Sequence, residues 1–206
     1  MNGTSSTGSS SHFRLGFVEG ATPDKWIRIW RERQRRPLDA VPLAGAGAEQ
    51  HLRDGELTMA LLRLPVDRDG LHCIPLYEEQ PMVVAGREHL VAAADEVVLD
   101  DLSDEQLVRP LDPGHGTDWT PSAAQLAWPA MSAAEAVETV AAGTGIVVLP
   151  QSIARLHHRK DVVARPITDL EPTRIGLVWP IDDPDPDTEV FIGIVRGRSV
   201  NSSRGR

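Results

Sequence analysis

The side chains best suited to chemistry in this sequence are seven histidines, one cysteine, an arginine-rich stretch and a few isolated acids. The histidines do not space as a metal-ligand set. His157 and His158 are adjacent, so on a helix they diverge by about 100° and cannot chelate as an i, i+4 pair would. His72 and Cys73 alternate across a predicted strand. No metal site is expected, and Cys73 reads as a core thiol rather than a nucleophile. Gly143-Thr144-Gly145 closes a predicted helix and enters a predicted strand, the reverse of what phosphate binding needs. Gly114-His115-Gly116 is a loop signal only. No Gly-x-Ser-x-Gly elbow and no Walker loop is present. A positioned acid–base set would have to come from Glu19, Arg63 and Asp112. No cofactor is implied, and the chain is not expected to be an enzyme. Arg28, Arg31, Arg33, Arg35 and Arg36 lack interleaved aromatics, so they read as the solvated side of a helix rather than a nucleic-acid face.

The elements that must position these groups follow from pattern. Phe13 to Val18 is a strand, and Thr22 with Pro23 starts a helix, Thr22 as cap and Pro23 at the first helical position. That helix runs to Arg36, where Pro37 stops it, and it gathers Trp26, Ile27, Ile29 and Trp30 on one face. Leu38 to Leu43 is a second strand, which Pro42 suits to a sheet edge. A short helix over Ala48 to Asp54 ends at Gly55. Leu57 to Leu62 is almost wholly apolar and so buried on both faces. Strands follow at Leu71–Tyr77, Pro81–Ala85 and Leu107–Leu111, with an extended stretch and one helical turn over Val97–Leu102. Ser132 and Glu135 form a capping box for a helix to Ala142. Ile146–Leu149 is a buried strand, and Pro150 opens a helix to His157. Strands at Val162–Arg165 and Arg174–Trp179 precede a closing helix over Thr188–Arg196. This alternation predicts an α/β architecture with parallel sheets, in which ligands bind beyond the carboxyl ends of the strands. The loops at Glu19–Thr22, after Leu62 and after Leu111, and the cap at Ser132, are expected to converge on one crevice.

Composition bounds the class. In 206 residues, 21 Lys+Arg face 30 Asp+Glu, a net charge of −9, which argues against a surface that grips nucleic acid throughout. A single cysteine excludes a disulfide framework. No apolar run approaches the roughly 20 residues that span a bilayer, and the Gly- and Ser-rich start has neither the basic nor the apolar part of a secretory signal. A cytoplasmic protein with tails at 1–12 and 199–206 is expected.

Three stretches together resemble the effector-binding domain of LysR-type transcriptional regulators. They are Phe13-Arg14-Leu15-Gly16-Phe17-Val18; Leu52 to Pro65 (LRDGELTMALLRLP) leading to Gly70-Leu71 and Pro75-Leu76-Tyr77-Glu78-Glu79; and Ala134 to Pro150, whose helix is followed by Gly143-Thr144-Gly145-Ile146 and Leu149-Pro150. Arg87-Glu88-His89-Leu90 stands where that family often has His-Pro. The order and spacing match over residues 13–196. The resemblance implies a type II periplasmic-binding-protein fold, two Rossmann-like lobes joined by two crossover strands. Lobe one is then 13–84 plus 181–198 and lobe two 85–180, with crossovers near Val84 and Trp179. The family's winged helix-turn-helix has no counterpart in this sequence, so sequence-specific DNA binding by this chain alone is not expected.

By the same resemblance, effector contacts fall on Gly20, Ala21 and Thr22 in the first loop, on Arg63 and on Ser132. Two capped helix N-termini and one Arg suit a small carboxylate, whereas Glu19 would repel one. The alternatives are that Thr22 and Ser132 only cap their helices, and that Arg63 pairs with Asp67 or Asp69. The implied function is binding of a small effector between the lobes, with hinge closure altering a homodimer or partner surface. The alternatives are an enzyme on the same fold, or an interaction module with a degenerate cleft.

Overall fold

Strands Phe13–Val18 (β1), Leu38–Leu43 (β2) and Met59–Leu64 (β3) pair in parallel around β1, joined by helices Asp24–Arg33 (α1) and Gln50–Arg53 (α2). The computed structural model describes residues 12–44, 47–114, 119–182 and 184–197. The expected tails, His12 apart, and His115-Gly116 of the loop signal lie outside them. β2 is an edge strand, where Pro42 leaves no ladder donor missing. β3 is buried on both faces. Met59 and Leu61 pack with Phe13, Trp30 and Phe191, and Ala60 and Leu62 pack with Leu52 and Leu71. A strand covered on both sides needs apolar residues at consecutive positions, which is why it reads as an unbroken run.

Strands Leu71–Glu79 (β4) and Thr173–Pro180 (β8) complete this sheet in the order β2-β1-β3-β8-β4. β8 runs antiparallel to both β3 and β4, so the sheet is mixed rather than parallel as expected. Pro81–Gly86 (β5) is the centre of a second sheet, flanked antiparallel by Ile146–Pro150 (β6) and Val162–Pro166 (β7). Its two faces are filled alternately. Met82 and Val84 meet Ala133–Ala141 (α3) and Gln151–Leu156 (α4), while Val83 and Ala85 meet Leu102, Leu107 and Ile167. Helix Thr188–Val195 (α5) returns to the first sheet and packs beside α1.

Two expectations change here. The chain passes between sheets at Gln80 and again over 167–172, not near Val84 and Trp179, because Pro81–Val84 already belong to the second sheet and Thr173–Pro180 to the first. Extended backbone crosses from β4 into β5 with one intervening residue, so local pattern carries no mark of the change. The strand expected over Leu107–Leu111 reduces to one parallel bridge from Leu107 to Ile146.

The glycine before β6 has a physical reason. Ile146 N–H donates to the Gln106 carbonyl at 2.8 Å, which draws residue 106 against Gly145, itself at φ 72°. A Cβ at Gly145 would overlap that carbonyl oxygen. Gly145→Ala is therefore expected to lower stability by about 2–4 kcal/mol, from left-handed strain plus the shift of residue 106. Chemical denaturation measures it, and a loss below about 0.5 kcal/mol, typical of surface changes, would refute the account.

Of the five arginines read as a solvated face, Arg36 is different. Its guanidinium forks onto Asp185 at 2.6 and 2.8 Å and reaches Asp187 at 3.0 Å, with its side chain 16 % exposed. Burial disfavours the charge on Asp185, but the Arg36 hydrogen bond, the Asp187 N–H and the Arg36 charge outweigh it and hold the carboxyl below its ordinary value of 3.8. A carboxylate depressed on folding contributes stability above its unfolded pKa and loses it as pH falls through the folded one. Acid titration should therefore destabilise the chain below about pH 4. Asp185→Asn should flatten that acid limb, and an unchanged profile would count against the assignment.

Candidate functional site

Beyond the carboxyl end of β1 the chain turns sharply. Gly20 takes φ 85°, and Ala21 N–H closes the turn onto the Val18 carbonyl at 3.1 Å. Ala21 is buried in the lobe-one core and Thr22 is exposed. Thr22 does not cap α1. Pro23 holds the N-cap position with no side-chain hydrogen bond, and its carbonyl accepts from Trp26 and Ile27 N–H. The helix begins one residue later than the Thr-Pro pair suggested, so the Thr22 hydroxyl precedes the amides it would have capped. Gly20, Ala21 and Thr22 line a groove of about 730 Å³, whose opposite wall is Ser152, Arg155 and Leu156 from α4 of the second lobe. The Ser152 hydroxyl oxygen is buried there without a hydrogen-bond partner.

Arg63, at the carboxyl end of β3, is drawn to this loop through both guanidinium Nη atoms, which donate to the Glu19 carbonyl at 3.3 Å. Its main partner is Glu79, the last residue of β4, at 2.8 Å. Their side chains are only 11 % and 6 % exposed. Neither Asp67 nor Asp69 takes the ion pair; Asp67 pairs with Arg53 at 2.9 Å instead. The register explains the geometry. Tyr77, Ile175 and Arg63 stand in one row across β4, β8 and β3, and Glu79 with Thr173 two rows on and so on the same face, which lets Glu79 reach Arg63 over β8. Arg63 Nε and Thr173 Oγ1 are buried beside the carboxylate without partners. Burial, and the nearby Glu79 charge, push the Tyr77 phenol up.

Ser132 caps α3 as expected. Glu135 N–H donates to its hydroxyl at 3.3 Å, while Ser132 N–H and hydroxyl donate to Glu135 Oε2 at 2.7 and 2.8 Å. Those bonds hold the Glu135 carboxyl below the usual range. The Ser132 hydroxyl and N–H bond within this box and its carbonyl accepts from Ala136 N–H of the same helix, so the structure joins Arg63 to the Gly20–Thr22 loop through Glu19 but shows no bond from Ser132 to them.

The other candidates are engaged. Glu19 Oε1 meets His157 Nε2 at 2.7 Å, and Asp112 Oδ1 accepts from Gly114 N–H at 3.0 Å. Burial raises the Cys73 thiol pKa, against a smaller opposing effect of Arg68. Among the described residues no cluster of three or more His, Cys, Asp or Glu could hold a metal, and no helix is long and apolar enough to cross a membrane. Sequence reasoning missed Glu79, Thr173, Ser152 and His157. A glutamate ending a strand looks like any exposed acid until its partner strand is known.

The LysR substrate binding domain family matches residues 7–199. The chain belongs to this family. Solved structures agree. A Corynebacterium glutamicum OxyR C206 mutant is 25 % identical with TM-score 0.72, over 93 % of this chain and 66 % of that one. The BenM effector binding domain with its effector benzoate is 20 % identical with TM-score 0.73, over 90 % of each chain. A point mutant of the OxyR regulatory domain from Pseudomonas aeruginosa is 22 % identical with TM-score 0.70, over 90 % of this chain and 96 % of that one. No curated protein matched. This LysR substrate-binding domain therefore has the type II periplasmic-binding-protein fold, and it spans about two thirds of the Corynebacterium OxyR chain it matches.

Proposed function

We propose that this domain binds a small-molecule effector where the two lobes meet, and that binding regulates transcription through a dimer or partner surface in the cytoplasm. The observation that carries the reading is a pair of buried donors left without partners: Arg63 Nε, whose guanidinium is bonded to the Glu19 carbonyl of the first loop, and Thr173 Oγ1, on the residue paired with Glu79 across β4 and β8. Buried polar groups are satisfied in the great majority of native sites, so an acceptor arriving between the lobes fits them. The ligand's charge, left open between a carboxylate suited to Arg63 and the repulsion of Glu19, follows here from the pairing of Arg63. Glu79 already neutralises Arg63, so the site suits a polar acceptor without a full negative charge. Gly20, Ala21, Thr22 and Arg63 supply the first-lobe contacts, and Ser132 the second-lobe contact.

A catalytic reading gains no support from the three residues that would have to carry it, since Glu19, Arg63 and Asp112 are each tied to a protein partner. Thermal-shift screening against a broad metabolite panel tests the proposal. A ligand at one hundred times its Kd should stabilise by about 2.7 kcal/mol. That is roughly 5–10 °C for a domain of this size. Thr173→Val and Ser132→Ala should diminish the shift. A panel without any shift, or a shift indifferent to both substitutions, would overturn the reading.

A further inference from the structure

We propose that Glu19 and His157 form a clasp that locks the two lobes together at the rim of their crevice, independently of any effector. Glu19 stands in the β1–α1 loop of the first lobe and His157 at the C-cap of α4 in the second. Their carboxylate oxygen and ring nitrogen lie 2.7 Å apart across 138 residues of sequence. The His157 side chain is 19 % exposed and that of Glu19 45 %, so the bond is shielded at its histidine end and open to water at its carboxylate. The contact is reinforced next door. Gly20 faces Ser152 so closely that a Cβ there would overlap the Ser152 hydroxyl and approach Ile153 Cγ1 to 3.1 Å. Loop and helix therefore meet at two successive residues, one pair polar and one steric.

Glu19 also has a second attachment. Its carbonyl accepts both Arg63 Nη donors at 3.3 Å while its carboxylate holds His157. One residue thus connects the buried Arg63–Glu79 pair, through a backbone atom, to the opposite lobe, through a side chain. A shift of Arg63 has a direct mechanical path to α4, a contiguous chain of bonded groups rather than mere proximity. The lobe separation is set by this clasp, and release of the clasp is the step that opens the crevice.

Hydrogen exchange on the whole chain without added ligand tests this, so its outcome does not depend on the effector proposal. Glu19→Ala and His157→Ala should each speed amide exchange in 19–22 and 151–157 by about tenfold, the order expected for one charge-assisted hydrogen bond. The double variant should be no faster than either single one. His157→Gln, whose amide still donates, should retain most of the protection. Exchange in α1 and α5 should not change. Unaltered exchange in both loops, additive effects in the double variant, or faster exchange through α1 and α5 as well would each overturn the clasp.

Discussion

Glu79→Ala will lower the stability of this domain by about 3–5 kcal/mol, the range for stripping one member from a buried ion pair. The Arg63 side chain is 11 % exposed, so its charge cannot turn to water when the carboxylate is gone. Among the described residues, the acceptor left to it is the Glu19 carbonyl, through two bonds at the long end of the range, 3.3 Å. Arg63 Nε already lacks a partner, which deepens the deficit. Replacing both members by apolar residues of similar length, as in Arg63→Met with Glu79→Leu, should recover much of the loss, because the desolvation of both charges disappears with them. Urea denaturation of the two variants decides the matter, and a Glu79→Ala loss under about 1 kcal/mol, the scale of an exposed pair, would show that water reaches the pair after all. The same position bears on specificity. With Glu79→Gln, the Arg63 charge is no longer answered from within, so the proposed site should gain affinity for carboxylate ligands.

Trp30→Ala will have the other large effect, again about 3–5 kcal/mol. Trp30 is fully buried where α1, β1 and α5 meet. Its ring centroid lies 4.5 Å from Phe13 and 5.9 Å from Phe191, and Phe13 lies 5.3 Å from Phe191. Removal leaves a cavity bounded by two rigid rings, which collapse poorly into it. A second loss adds to the first. Trp30 Nε1 donates to the Arg36 carbonyl at 2.8 Å, which helps to fix the residue whose guanidinium ties the connection between α1 and β2 to Asp185 and Asp187. Trp26, only partly buried at the margin of the same cluster, should lose much less on truncation. Equal losses at the two tryptophans would mean that the aromatic cluster is not the anchor of the first lobe.

Much of the fold was legible because its signals are local. The Ser132–Glu135 box and the apolar face of α1 follow from spacing and stand where spacing put them, while the apolar strand expected over Leu57–Leu62 forms two residues later, as β3 over Met59–Leu64. Thr22 failed for an equally local reason. Thr-Pro fits two helix starts that differ by one residue, and packing of Ala21 into the core selects the later one.

The site was legible only by half. Residue types and their order determined the family, the α/β elements and the loop that carries Gly20, Ala21 and Thr22, since caps, turns and periodicity involve neighbours a few residues apart. Tertiary structure alone decided what that loop faces. Arg63 meets Glu79 because β8 brings the ends of β3 and β4 together, and Glu19 meets His157 because a chain that crosses at Gln80 lays α4 over the first lobe. Sheet order and lobe docking arise from burial of whole faces, a non-directional force that no single pair of residues announces in advance.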